Sequence, residues 1–463
     1  MGLISGVASE PPHHEHCTAM STTKNAEPSA PARPVSMRRI AMASCVGTTI
    51  EFYDFFIYGT AAALVFPTVF FPSLGATAGT VASFATFAVA FVARPVGAVV
   101  FGHFGDRIGR KRTLVSTLLT MGVATALIGV LPSSSTIGIL APIALVMLRL
   151  AQGFAVGGEW AGATLLTAEY APEGRRGRYG VFPQLGPSIA FGLSSGTFLI
   201  TGLLLGDTDG AFLSYGWRIP FLLSILLVGL GLWVRLSIEE TPAFRESQAK
   251  LDTSRHSPFR EAVRAQPREI LLVAGSLAML FAFFYMGTAY LTAYGTNPDG
   301  AALSRPTVLT IGLGASVVFG LATAASGILS DRFGRRRVIV TACVFGIAWG
   351  LALFPILDTE SPLAFALGVT VSLVVFAVSY GPAAAFLPEL FETRYRYTAA
   401  GFSYGLAAVL GGAIPPLLAP GLAAEYGSRS IGVMLAVISA MSLVCTLMLV
   451  ETRGRGLRQD SAG

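Results

Sequence analysis

Glu51 and Asp54 stand three residues apart in "TTIEFYDFFIYG" (48–59), a stretch that is otherwise apolar and aromatic. Residues spaced i,i+3 share one face of a helix, so both carboxylates look the same way. Arg149 and Gln152 repeat that spacing in "LRLAQGFAVGGEWAGA" (148–163), and Arg94 and Glu159 add one charge each to the apolar segments that carry them. An ionisable group at membrane depth costs at least ~2.5–3.5 kcal/mol on insertion scales, so it usually faces a cavity and a partner. A guanidinium beside an acid holds it ionised, and separating the two in a dry site lets the acid take up a proton. That arrangement is a proton-coupling device. Its structural alternative is a static ion pair that only fixes helix packing.

The elements around these charges must therefore be lipid-facing helices. The 463 residues are 53% hydrophobic and 13% charged, with 52 Gly and 31 Phe, against about 25% charged in soluble domains. Apolar stretches of about 20 residues select helices over a barrel, whose strands alternate over about ten. Twelve such stretches run near 42–66, 79–102, 113–131, 139–169, 180–205, 217–236, 270–294, 307–329, 338–357, 363–387, 397–421 and 430–450. The predicted fold is an all-α membrane protein with six helices in residues 38–236 and six in 269–452. A basic connector, 237–268, divides them, and the short tail 453–463 follows. Residues 1–37, rich in Pro, Ser, Ala and Thr, read as a disordered tail and not as a cleaved signal.

Charge sets the orientation. With both termini cytoplasmic, 27 of the 32 Lys and Arg lie on the cytoplasmic side. Arg218, Arg305 and Arg429 lie opposite, and Arg94 and Arg149 lie inside spans. This is the positive-inside asymmetry. The net charge of +6 is spread over short loops, so no nucleic-acid partner is expected. The stretch "HHEHC" (13–17) could ligate a transition metal, but in a solvated tail without fixed geometry it is not expected to. Cys17, Cys45, Cys343 and Cys445 form no CxxC pair, so neither a disulfide framework nor a metal site is expected.

Depth brings the charges together. At a helical rise of ~1.5 Å per residue, Glu51 lies ~14 Å and Asp54 ~18 Å from the inner surface. Arg149, on a span running the other way, lies ~15 Å from the outer surface. All three fall near the midplane of a ~30 Å core. Arg94 precedes Pro95 nearer the cytoplasmic end. It has two open readings: an anchor for a substrate carboxylate, or the counter-ion of Glu159, with the ion pair preferred.

The two halves are related. "GDRIGRKR" (105–112) after span 2 returns as "SDRFGRRR" (330–337) after span 8, and Glu169 and Arg176 return as Glu389 and Arg396. A parallel repeat of six-helix units is a transporter plan, with a substrate site near the midplane between the halves.

With its second copy, "GDRIGRKR" resembles the loop signature of the major facilitator superfamily. "EFYDF" (51–55), "ARPVGAVVFGHFGDRIGRKR" (93–112), "LRLAQGFAVGGEWAGA", "WRIPF" (217–221) and "ETPAF" (240–244) narrow the resemblance to its metabolite:proton symporter family. Members of that family carry shikimate, 2-oxoglutarate, citrate, or proline and betaine.

The resemblance implies roles. Asp106 and Arg107, mirrored by Asp331 and Arg332, would brace helices between the halves, while Arg110 also suits headgroup anchoring. Glu159, Glu169, Arg176, Glu389 and Arg396 would join a gating network of exposed charge pairs, together with Glu240 and Glu451. Asp54 and Arg149 match the proton-sensitive span-1 and span-4 pair of sugar porters, with Glu51 as a second proton site or a substrate neighbour. Arg149, Gln152, Arg94, Gln184, Tyr58, Trp160, Tyr285 and Tyr404 are candidates to bind substrate, alongside Tyr53, Tyr290 and Tyr380; a dicarboxylate would have to be held by Arg149 or Arg94. For any single Tyr or Trp an interfacial belt is the simpler role. "GGAIPP" (411–416) offers a place for a helix to bend.

The implied function is proton-coupled import of a small organic acid by a monomer in a bacterial inner membrane, without a cofactor. The alternatives are an osmolyte symporter of the proline/betaine type or a proton-antiport exporter. The short C-terminal tail, without heptads, favours the acid. A membrane enzyme is disfavoured because no metal cluster, nucleophile elbow or GxxxxGK[ST] loop is present. A sensor is disfavoured because the connector is too short for an output domain.

Overall fold

The computed structural model describes Gly2 and residues 37–454, except 109, 158–163, 165–166, 168–170, 173, 206–208, 238–257 and 393–394. The tail with its HHEHC stretch and most of the connector therefore lie outside the described residues.

Lipid offers the backbone no hydrogen bonds, so each segment must satisfy its own amides and carbonyls as a helix. Among the described residues twelve main helices result. In the first half they are α1 (Met37–Leu64), α2 (Gly75–Ile108), α3 (Arg110–Val130), α4 (Leu140–Val156), α5 (Arg176–Leu204) and α6 (Arg218–Ser237). In the second half they are α7 (Pro267–Tyr285), α8 (Arg305–Phe333), α9 (Arg335–Leu357), α10 (Pro362–Leu390), α11 (Arg396–Ala407) and α12 (Arg429–Met448). There is no strand among the described residues. Among the described residues, nine of the helical stretches are long and apolar enough to cross a membrane by length and composition.

The helices match the twelve predicted spans in number and order and overshoot several of their ends. A helix continues past the hydrocarbon until something stops it. At the start of α8 the Ser304 side chain accepts from the Thr307 amide, and its end is Gly334 at φ +101°. Two helices are interrupted in ways that periodicity does not reveal. α7 passes through a π-turn at Met286–Tyr290 into Leu291–Thr296. α11 passes through Ala408–Ala413 into Ile414–Tyr426, at the "GGAIPP" stretch expected to bend.

Packing follows the internal repeat. Between the halves, α5 lies against α8 and α2 against α11, two contacts that exchange when each helix is replaced by the one six later. Within the halves, α1–α5 matches α7–α11, α2–α4 matches α8–α10, and α3–α6 matches α9–α12. α7 is the central helix, its spanning window 89% buried, against 39% for the windows through α6 and α12. The outer helices present Leu226, Trp233, Val437 and Val444 outward, where lipid is their natural neighbour.

One close approach positions the buried charges. A Cβ at Gly153 of α4 would run into the backbone of Ala90 on α2, and one at Gly157 into that of Arg94. α2 and α4 thus touch backbone to backbone, which places Arg94 beside the helix that carries Arg149. Gly153→Val is expected to lower the thermal stability of the detergent-purified protein by about 1–3 kcal/mol or more. Gly229→Ala, where an added Cβ meets nothing within 4 Å, should leave the melting midpoint unchanged or raise it. An unaffected Gly153→Val would show that the two backbones are not in contact.

Candidate substrate and proton site

Arg149 is fully buried, and aromatic faces surround its guanidinium. Its Cζ lies 3.9 Å from the ring centre of Tyr58, 4.5 Å from Phe55 and 5.1 Å from Phe87. Arg94 shares Phe55 at 4.1 Å and also lies over Phe91 at 4.9 Å. A desolvated cation on an aromatic face gains about 2 kcal/mol or more, so the rings replace part of the lost hydration. Tyr285 of α7 packs against Phe87 and Phe91 and closes this cage from the second half. The Tyr58 hydroxyl donates to Thr86 Oγ1 at 2.6 Å, which fixes its ring under Arg149.

Asp54 is linked to Arg149 through two bridging side chains. Arg149 Nη1 donates to Gln152 Oε1 at 3.0 Å, Gln152 Nε2 donates to Thr125 Oγ1 at 2.6 Å, and Thr125 Oγ1 lies 2.8 Å from Asp54 Oδ2. The amide of Gln152 can be oriented only this way, because a guanidinium has no acceptor. None of the described ion pairs joins Asp54 to Arg149. Sequence reasoning brings the acid and the base to one depth but misses the bridge, Thr125 on α3. Matching depths across α3 as well as α1 and α4 would find it.

Glu51, one turn from Asp54, faces a different space. With Arg94, Pro95, Gly157, Gly401 and Tyr404 it lines a cleft between α1, α2, α4 and α11. The cleft has about 20 Å³ of free space, room for a water and not for a metabolite. Aromatic contacts between α1, α2 and α7 close the far side: Phe56 on Phe284 at 5.4 Å and Phe84 on Tyr290 at 6.3 Å.

On the face that carries the basic loops, Asp331 caps α5 across the halves. Its two oxygens accept from the amides of Gly177 at 2.9 Å and Arg178 at 2.8 Å. Glu389 Oε1 lies 3.6 Å from Arg176 of the first half and 3.3 Å from Arg335, while Oε2 accepts from Thr452 at 2.7 Å. The pairing therefore crosses the halves, where sequence spacing had paired Glu389 with Arg396. Nor are these pairs exposed: Arg176, Arg335 and Glu389 are all buried. Arg335, not singled out from the sequence, joins the network and also binds Asp331 at 2.8 Å. Glu451 accepts from the amides of Arg335 and Arg336 at the start of α9. Arg332 lies over Phe333 at 5.4 Å, and Arg396 Nε donates to the Phe391 carbonyl.

The other expected binding residues divide. Tyr58 and Tyr285 belong to the cage and Tyr404 to the cleft. Gln184 Nε2 donates to the Tyr380 carbonyl at 2.7 Å, a brace between α5 and α10. Tyr380 stacks on Phe376, and Tyr53 donates to the Pro220 carbonyl of α6, away from the cage. Glu159, Trp160 and Glu169 lie outside the described residues, so the expected partner of Arg94 is not seen. The side chains of Asp106, Arg107 and Arg110 are likewise outside the described set. Among the described residues no group of three His, Cys, Asp or Glu could hold a metal ion.

Residues 45–409 match the profile of the Major Facilitator Superfamily. An inner membrane metabolite transport protein of Escherichia coli, YhjE, is 44% identical over 428 residues, covering 92% of this chain and 97% of that protein. A shikimate transporter of E. coli is 39% identical, covering 90% and 95%. A proline/betaine transporter of Salmonella typhimurium is 30% identical, covering 91% and 85%. Among solved structures, a D-xylose-proton symporter aligns with a TM-score of 0.70 over 91% of this chain and 99% of that one. At 17% identity that likeness speaks for the fold alone. The chain is a multi-pass membrane transporter of the major facilitator superfamily, in its metabolite:proton symporter family.

Proposed function

We propose that this transporter imports a small organic acid together with protons by alternating access. Its setting would be a bacterial inner membrane, with both termini and the connector cytoplasmic. One observation carries the substrate class. Nε and Nη2 of Arg149 and Nε of Arg94 are buried without a hydrogen-bond partner among the described residues. Unmade bonds from buried charged donors are costly. A carboxylate entering between the two guanidiniums would complete them, in the bidentate geometry that suits arginine. The shikimate transporter among the relatives supports an acid of this kind.

Charge balance supports the coupling. The cage and cleft hold two arginines against Glu51 and Asp54. A substrate carboxylate arriving with a proton on Asp54 leaves the net charge of the site unchanged, and this avoids the cost of an unpaired buried ion. One chain supplies every residue of the site, so a monomer suffices. A second reading, a zwitterion such as proline or betaine, has one specific support. Glu51 lines the same cleft as Arg94 and would face a cationic end.

Proteoliposomes offered shikimate, 2-oxoglutarate, citrate, proline and betaine, with and without a proton gradient, separate the readings. Uphill uptake of an acid is expected, and uptake of betaine or proline alone would select the zwitterion. Asp54→Asn should abolish gradient-driven accumulation of the accepted compound while sparing its exchange; undiminished uphill uptake would remove Asp54 as the proton carrier. Arg149→Lys loses both the Gln152 bond and the flat stacking surface, and should weaken substrate binding at least tenfold, about 1.4 kcal/mol. Asp331→Asn removes the negative charge over the start of α5, worth about 0.3–1 kcal/mol. It should move the population toward the form open on the basic face, read as a longer spin-label distance between α5 and α8 at that end. An unchanged distance distribution would argue against a gating role for Asp331.

A further inference from the structure

The Thr125 hydroxyl has three partners and one proton. Two of the partners are acceptors, Asp54 Oδ2 at 2.8 Å and the Met121 carbonyl at 2.9 Å, and the third is the donor Gln152 Nε2 at 2.6 Å. All four side chains of the relay are buried, Thr125 completely. Hydrogen-bond accounting allows two arrangements. In the first, Asp54 is ionised and receives the Thr125 proton. In the second, Asp54 is protonated and donates to Thr125 Oγ1, and the Thr125 proton turns to the Met121 carbonyl. A Thr125 proton on Met121 beside an ionised Asp54 would set two oxygen lone pairs against each other at 2.8 Å, which excludes it. In both allowed arrangements a lone pair of Thr125 remains to accept from Gln152.

We propose that Thr125 is the proton-state switch of the site. Its hydroxyl rotates between Asp54 and Met121 as Asp54 loses and gains a proton, so the Gln152–Arg149 arm keeps its anchor in both states. The inference rests on Asp54 as the proton carrier and adds the residue that makes its two states compatible with one heavy-atom geometry. The proton balance closes. One proton enters on Asp54 Oδ2, one hydroxyl proton changes acceptor, and no other group gains or loses one. A threonine meets this need because a rotating hydroxyl can reverse its donor and acceptor roles, which an amide cannot do. The charged and titratable groups around the relay are Arg149 on α4, Tyr53, Tyr58 and Glu51 on α1, Arg94 on α2 and Tyr285 on α7. Arg149 is held by Gln152 and its aromatic faces in either arrangement, so it need not move when Asp54 is protonated.

Infrared difference spectra of the purified protein, recorded between high and low pH without added substrate, test this directly. A protonated carboxyl shows a C=O stretch of its own, and its frequency rises when it loses the acceptor to which it donates. The band assigned to Asp54 is the one that disappears in Asp54→Asn. It should move to higher frequency in Thr125→Val and return to the wild-type position in Thr125→Ser. Thr125→Ala serves as a second hydroxyl-free variant where the valine does not fold. A wild-type band position in the folded hydroxyl-free variant overturns the switch while leaving Asp54 as carrier. If Asp54→Asn removes no band, the carrier assignment itself fails, which is a separate outcome. A merely structural threonine would change stability and not the frequency of that band.

Discussion

A guanidinium without bulk water around it is the constraint on which the rest of the site depends. Arg149 lies fully buried, at a depth the helical rise puts near the membrane midplane. Left alone there it would cost several kcal/mol. Three aromatic faces offset part of its lost hydration, and Gln152 accepts one of its hydrogen bonds. Each of these helpers needs support of its own. Tyr58 is held by Thr86, Gln152 by Thr125, and Thr125 by Asp54 and its own helix. The first half is built around this chain of dependence. The donors of Arg149 that remain unpartnered among the described residues are the ones the proposed substrate carboxylate would meet.

The second half contributes closure more than charge. Tyr285 caps the cage, Phe284 and Tyr290 seal one side, and Tyr404 narrows the cleft on the other. On the basic face, by contrast, the halves are tied by ions: Asp331 on the amides that open α5, and Glu389 between Arg176 and Arg335. The two closures differ in kind for a physical reason. Apolar contact is non-directional and re-forms easily. A carboxylate over a helix N-terminus is directional, and parting it exposes both the charge and the amides to be satisfied by water. In the alternating access proposed above, rocking of the halves would exchange one kind of contact for the other.

Much of this is legible in the sequence because the costs involved are large. A charge in an apolar segment is conspicuous, so Glu51, Asp54, Arg94 and Arg149 stand out by residue type alone. A doubled loop motif is equally conspicuous, and the exchange of α5–α8 with α2–α11 follows from it. Thr125 is not legible. A hydroxyl in a helix can bond its own i−4 carbonyl at almost no cost, as Thr125 does with Met121, so it looks like any background threonine. The pairing of Glu389 is misread for another reason. Spacing along a chain shows which charges lie near one membrane face, and not which half supplies the partner.

The amino-acid sequence by itself determined the number of helices and their order, and set the expected sidedness of the basic loops and the expected depths of Glu51, Asp54 and Arg149. These follow from hydropathy, from charge and from the regular rise of an α-helix. Only the tertiary structure decided that Asp54 meets Arg149 through Thr125 and Gln152, that the two arginines share Phe55, and that Gln184 braces α10 instead of facing the cleft. Those outcomes depend on how far each helix turns about its axis and how closely glycines let α2 and α4 approach. Rotation and approach are set by side chains packing across helices, and no single segment contains them.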